Sequence, residues 1–138
     1  MNIAAFIQAV LLASGLLTPI ALPPDVPVIP IVQNETQPDH YYRVAKETLD
    51  GIGAGGYTLL IDAPWDDSWG ITNLRTREIS ISTTAPEDYV PSIALHEYAH
   101  VLQSESGVTT DTDALEVEAD QYACAHGATW VHYIGSCT

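Results

Sequence analysis

The sequence predicts an α+β domain. Apolar residues recur at helical spacing in three segments, around 40–50, 90–104 and 113–126, while 57–62 and 77–83 carry the composition or alternation of strands. Glycine, proline and short Asp/Thr-rich stretches separate these segments, and no internal repeat links them. At 138 residues the chain fits one domain with a modest core.

The chain begins with an apolar, uncharged run, Ile3 to Leu22, broken only by Gln8, Ser14, Gly15, Thr18 and Pro19. It has the character of the hydrophobic region of a secretory signal, although no Lys or Arg precedes it and no clear A-x-A cleavage site follows. Its length barely reaches across a bilayer. Residues 1–22 therefore stand as a signal, an uncleaved anchor or a buried helix. Pro23, Pro24, Pro27, Pro30 and Pro38 then fix φ and remove amide donors, marking residues 23–38 as an extended linker.

The folded domain is expected over 39–138. Asp39 reads as the N-cap of a helix over His40 to Asp50 that turns Tyr41, Val44, Ala45 and Leu49 to one side, and Gly51, Gly53, Gly55 and Gly56 stop it. Tyr57 to Asp62 reads as a strand, Pro64 to Trp69 as an acidic aromatic loop, and Gly70 to Leu74 as a short strand. Arg77 to Thr83 alternates, with Ile79 and Ile81 facing one way and Ser80 and Ser82 the other, and is expected at a sheet edge. A helix follows over Val90 to Ser104, with Pro91 in its first turn where a missing amide costs nothing. Asp111 or Thr112 caps a last helix over Asp113 to His126, ended by Gly127, and the aromatic tail Ala128 to Thr138 is expected to form a strand or a turn.

Charge narrows the functional classes. Four basic residues (Arg43, Lys46, Arg75, Arg77) face 18 acidic ones, for a net charge of −14. That argues against nucleic acid as a partner, since neutralising phosphates takes clustered Lys and Arg. It also disfavours anionic lipid surfaces, leaving membrane contact to the N-terminal segment if uncleaved. The acidity serves solubility first and cationic substrates second. Cys124 and Cys137 lack a metal-ligand spacing. In an exported protein they would form a disulfide tying the tail to the last helix; in a cytoplasmic one they would be buried thiols. The apolar N-terminus predicts an extracellular or membrane-anchored location, with a cytoplasmic one left open.

Within the second helix stands His96-Glu97-Tyr98-Ala99-His100, the H-E-x-x-H pattern. Two histidines four apart on a helix point to the same side one turn up, so both can hold one metal ion. The glutamate beside the first histidine lies where it can take a proton from water at that metal. A catalytic zinc needs a third protein ligand and an open position. Glu116 and Asp120, four apart on the next helix, share one face and offer a carboxylate ligand and an acceptor for a histidine's free ring N–H. Glu118 is the rival ligand, but lies about 200° from Glu116 around a helix, so only one of the two faces the metal.

His96-Glu97-x-x-His100 followed by Glu116-x-x-x-Asp120 resembles the gluzincin metallopeptidases, and the short spacing and small size are similar to the compact minigluzincin-type members. The likeness covers about residues 57–126. It implies a zincin-like fold, a small mixed sheet packed against an active-site helix and a following glutamate helix, with an edge strand that binds peptide. It implies Zn2+ held by His96, His100 and Glu116, with Glu97 as general base and Asp120 as partner of one histidine. The implied substrate is a peptide or protein.

An oxyanion stabiliser is also required. Tyr122, His126, His132 and Tyr133 are the candidates, and His132 and Tyr133 are preferred because the tail can fold back over the cleft. Trp65 and Trp69 would line a substrate groove or cover the core, and His40 reads as a surface residue at a helix start. The strand at 77–83 would bind extended peptide at its edge or be covered by a loop. The competing class is a non-catalytic interaction module whose zinc is closed by a fourth protein ligand, His126 or His132. The simplest alternative makes His96 and His100 helix-surface residues and Glu97 and Asp120 solvated acids. Metal-assisted hydrolysis of a non-peptide amide is a further possibility.

Overall fold

The computed structural model describes residues 34–62 and 67–137; the apolar segment 1–22, most of the linker and Trp65 lie outside the described residues. Helix α1, Gln37–Gly51, begins earlier than the sequence suggests. Thr36, not Asp39, is its N-cap: the Thr36 hydroxyl accepts from the Asp39 amide (3.4 Å) and donates to the Asp39 carboxylate (2.5 Å). The two residues share the cap much as a capping box does. Pro38, expected in the linker, sits in the first turn, where it forfeits no helical hydrogen bond. Tyr41, Ala45 and Leu49, spaced by four, are the buried stripe.

Strands β1 (Thr58–Asp62), β2 (Gly70–Asn73) and β3 (Glu78–Ser82) form a mixed sheet of order β1-β3-β2. β3 runs parallel to β1, Leu59 opposite Ile79 and Ile61 opposite Ile81, and antiparallel to β2, Thr72 opposite Ile79. The architecture is the α+β arrangement expected, with one correction: β3 is the central strand and β1 and β2 are the edges. Burial alternates in any strand of a sheet covered on one face, so the pattern in 77–83 did not distinguish edge from centre. With both sides paired, β3 offers no edge to a peptide. A tight turn joins β2 to β3, in which Asn73 Oδ1 accepts from the amides of Arg75 and Thr76 (3.0 and 3.2 Å).

A single 3-10 turn, Glu87–Tyr89, leads into α2, Val90–Glu105. Val90, Ile93, Ala94, Leu95, Tyr98, Ala99 and Val101 are all buried, so α2 is apolar on most of its circumference. A helix of that kind needs cover on several sides. The sheet, α1 and the last helix, α3 (Asp113–Ala125), supply it. Leu59, Ile79 and Ile81 from the sheet meet Tyr41, Ala45 and Leu49 from α1 in the main core, and Leu95 packs with Ala123, Ala128 and Val131 in a second cluster. Burying Ile79 and Ile81 completely stabilises the fold by about 1.5–3 kcal/mol each. Ala119 and Ala123 let α3 approach closely, and Thr112 caps that helix by accepting from the Leu115 amide (3.4 Å).

Among the described residues the tail forms no strand; it is a series of turns whose amides find side-chain acceptors. Ser92 Oγ, buried on α2, accepts from the amides of Thr129 and Trp130 (3.0 and 3.2 Å). Asp120 Oδ2 accepts from those of Tyr133 and Ile134 (2.5 and 3.1 Å). Cys124 and Cys137 form a disulfide that closes this loop onto α3. No helix among the described residues is long and apolar enough to cross a membrane.

Candidate metal centre

One turn apart on α2, His96 and His100 turn their rings to the same side, with centroids 4.9 Å apart. Glu116, in the first turn of α3, faces them. His96 Nε2 lies 3.2 Å from His100 Nε2 and 3.0 Å from Glu116 Oε2, and His100 Nε2 lies 3.6 Å from Glu116 Oε1. Donors bound at ~2.0–2.1 Å to a tetrahedral ion sit roughly 3.3 Å apart, so the observed separations bracket what such an ion requires. Among the described residues these three are the group that could hold a metal ion. Glu118 is exposed, so Glu116 is the carboxylate that α3 turns towards the histidines.

The hydrogen bonds behind the rings decide which nitrogens are free. His96 Nδ1 lies 2.8 Å from Oδ1 of Asp120, a carboxylate that is 1% exposed and can only accept. His100 Nδ1 lies 2.7 Å from Gln103 Oε1, an amide oxygen that likewise only accepts. In their neutral form both rings therefore carry the proton on Nδ1, and both Nε2 atoms turn lone pairs towards each other and towards Glu116. Two imidazole lone pairs and a carboxylate that converge in this way repel until a cation, a proton or a metal ion, joins them. The set suits a divalent metal.

Glu97 is 5% exposed and lies against β2. Thr72 Oγ1 is 2.8 Å from Glu97 Oε2 and 2.9 Å from the Glu97 backbone carbonyl. One hydroxyl hydrogen cannot serve both acceptors. A protonated Glu97 donates to Thr72, which then donates to the carbonyl; an ionised Glu97 accepts from Thr72 instead. The contact thus accommodates both protonation states. Burial raises the Glu97 pKa above its ordinary 4.5, against the pull of both histidines and Thr72.

Burial also pushes Glu116 up to about 8, reinforced by the neighbouring carboxyls of Asp111 and Glu97. Burial works to raise Asp111 as well, but hydrogen bonds from Glu116 and the Thr112 amide hold it below its ordinary 3.8.

This group opens into a cleft of about 370 Å³, lined by Trp69, Gly70, Ile71 and Thr72 of the β2 region and by Trp130, His132 and Tyr133 of the tail. The Tyr133 ring lies nearly parallel to His96, 6.1 Å between centroids and 15° between planes. Burial and the adjacent carboxylates raise its pKa, so the phenol keeps its proton. Tyr122 and His126 stack on each other at 4.0 Å away from the cleft walls, which removes them as oxyanion candidates. Neither His126 nor His132 joins the three donors. Trp69 does both things expected of it, packing against Tyr89 and Trp130 while lining the cleft. His40 is a surface residue paired with Glu35 and Glu87.

Comparison with protein-family models, curated proteins and solved structures gives no match. The chemistry of the site therefore rests on its own geometry.

That geometry adds four residues to those legible in the sequence: Gly70, Thr72, Gln103 and Asp111. Gln103 stands three residues after His100, a helical neighbour position that could have revealed it. Asp111 in the sequence suits a helix cap, a role that Thr112 takes. Gly70 and Thr72 reach Glu97 across the sheet–helix interface, and no local pattern marks them.

Proposed function

We propose that this chain is a gluzincin-type zinc peptidase that hydrolyses peptide bonds by direct attack of water, with Glu97 as general base. The observation that carries this reading is the convergence of two histidine lone pairs and Glu116 beside a buried glutamate, all at one cleft. Zinc bound there would acidify a water and polarise the scissile carbonyl. Glu97 takes the proton of the attacking water on the carboxylate oxygen that Thr72 does not hold, while the Thr72 hydroxyl keeps the other oxygen in place. Glu97 then passes that proton to the leaving amine, and no acyl-enzyme forms. A base whose pKa is raised by burial is suited to both halves of this exchange.

Tyr133 and His132 line the same cleft and are the candidate hydrogen-bond donors to the oxyanion. The edge strand β2 borders the cleft, so an extended peptide would pair there rather than on β3. The disulfide and the apolar N-terminus support an extracellular or membrane-anchored location. A closed structural zinc site has less support, because among the described residues no fourth protein donor joins the group.

The test is metal analysis of the full chain together with cleavage of casein or a peptide library. The expected result is one zinc per chain and cleavage lost to a chelator and restored by zinc. His96→Ala and Glu116→Ala should both lose the metal. A wild-type chain that binds no zinc overturns the reading.

A further inference from the structure

We infer that Gln103 is a positioning residue for the metal site, and that through it the docking of α3 sets the tautomer of His100. The inference rests on the metal-site reading above. Gln103 Oε1 lies 2.7 Å from His100 Nδ1, while Gln103 Nε2 donates to the backbone carbonyl of Leu115 (2.9 Å). A backbone carbonyl only accepts, so the amide nitrogen must face Leu115 and the amide oxygen must face His100. Flipping the amide would set two acceptors against each other at Leu115 and a donor against the Nδ1–H of His100. The orientation is therefore imposed, and with it the proton on Nδ1 and the lone pair on Nε2.

The anchor is not an arbitrary carbonyl. Leu115 immediately precedes Glu116 in the first turn of α3. The segment that delivers the carboxylate donor also fixes the tautomer of a histidine on the opposite helix. His96 receives the same service directly from α3, through Asp120. Both ligating histidines on α2 thus take their orientation from α3, one through a carboxylate and one through the Gln103–Leu115 relay. A shift of α3 would disturb all three donors together.

The test uses the full chain with two variants. Gln103→Met keeps the bulk but neither accepts nor donates; Gln103→Glu keeps an acceptor for His100. Two readouts are compared, imidazole 15N chemical shifts of the metal-free protein at a pH where both histidines are neutral, and zinc Kd by competition with a chromophoric chelator. Wild-type His100 is expected as the Nδ1–H form. Gln103→Met should move it towards the Nε2–H form and weaken zinc about 10–100-fold. Gln103→Glu should restore the Nδ1–H signature and part of the affinity. A wild-type His100 protonated on Nε2 overturns the inference without any variant. So does a Gln103→Met protein whose Tm falls while its nitrogen shifts and zinc Kd stay at wild-type values. A wild-type chain that binds no zinc removes the parent reading, and the metal-free nitrogen shifts still decide the tautomer.

Discussion

Gly70 lies so close to Glu97 that a Cβ on the glycine would sit 2.5 Å from Glu97 Oε1 and 2.9 Å from its Cγ, with Ile93 Cγ2 at 2.6 Å. The absence of a side chain at Gly70 is what lets β2 press against the proposed base. Gly70→Ala should cost about 1–3 kcal/mol of stability through overpacking. Because it displaces Glu97 and none of the three donors, zinc content should hold while hydrolysis falls about 100-fold. Metal analysis and peptidase rate on the same preparation check this.

Asp120 joins two structures that the sequence shows as separate, accepting from His96 on one oxygen and from the amides of Tyr133 and Ile134 on the other. Asp120→Ala removes the acceptor of all three donors and should cost roughly 1–3 kcal/mol. Zinc affinity should drop about 10–100-fold. Asp120→Asn keeps one oxygen and should lose less on both measures, read by thermal melting and chelator competition.

The metal-free protein should lose stability as pH rises. The folded-state pKa of Glu116, about 8, exceeds its ordinary 4.5, so its contribution is fully present below about 4.5 and is lost as pH climbs through about 8. The raised Glu97 acts in the same direction. Metal binding needs Glu116 ionised, so the gain in Tm on adding zinc should grow across the same window. Chelator-treated and zinc-loaded melts from acid to mildly alkaline pH measure this, and Glu116→Gln should flatten the metal-free slope.

The Cys124–Cys137 bridge spans 13 residues and holds the tail that carries His132 and Tyr133. Closing a loop of that size stabilises by about 3 kcal/mol. Cys124→Ser with Cys137→Ser should lower Tm accordingly and reduce kcat more than it alters zinc content, because the three metal donors lie outside the loop.

The donors were legible because helical spacing is a local rule: four residues separate His96 from His100 and Glu116 from Asp120, and each pair shares a face. The pairing of α2 with α3 was readable only as an expectation from the joint motif. The order of the strands was not legible, because Ile79 and Ile81 alternate with serines in the same way whether β3 has one neighbour or two. The start of α1 is ambiguous in the sequence because Thr36 and Asp39 are both good caps, and Pro38 suits a linker as well as a first helical turn. Thr72 and Gly70 carry no signal at all until the sheet is laid on α2. Their roles come from contact across the fold.

The most direct measurement of the central claim is Glu97→Gln, assayed for zinc and for peptide hydrolysis on the same protein. The substitution keeps size and hydrogen-bonding capacity while removing a base that can take a proton. The account predicts one zinc per chain, as in wild type, with hydrolysis abolished. A Glu97→Gln protein that cleaves at the wild-type rate would contradict it.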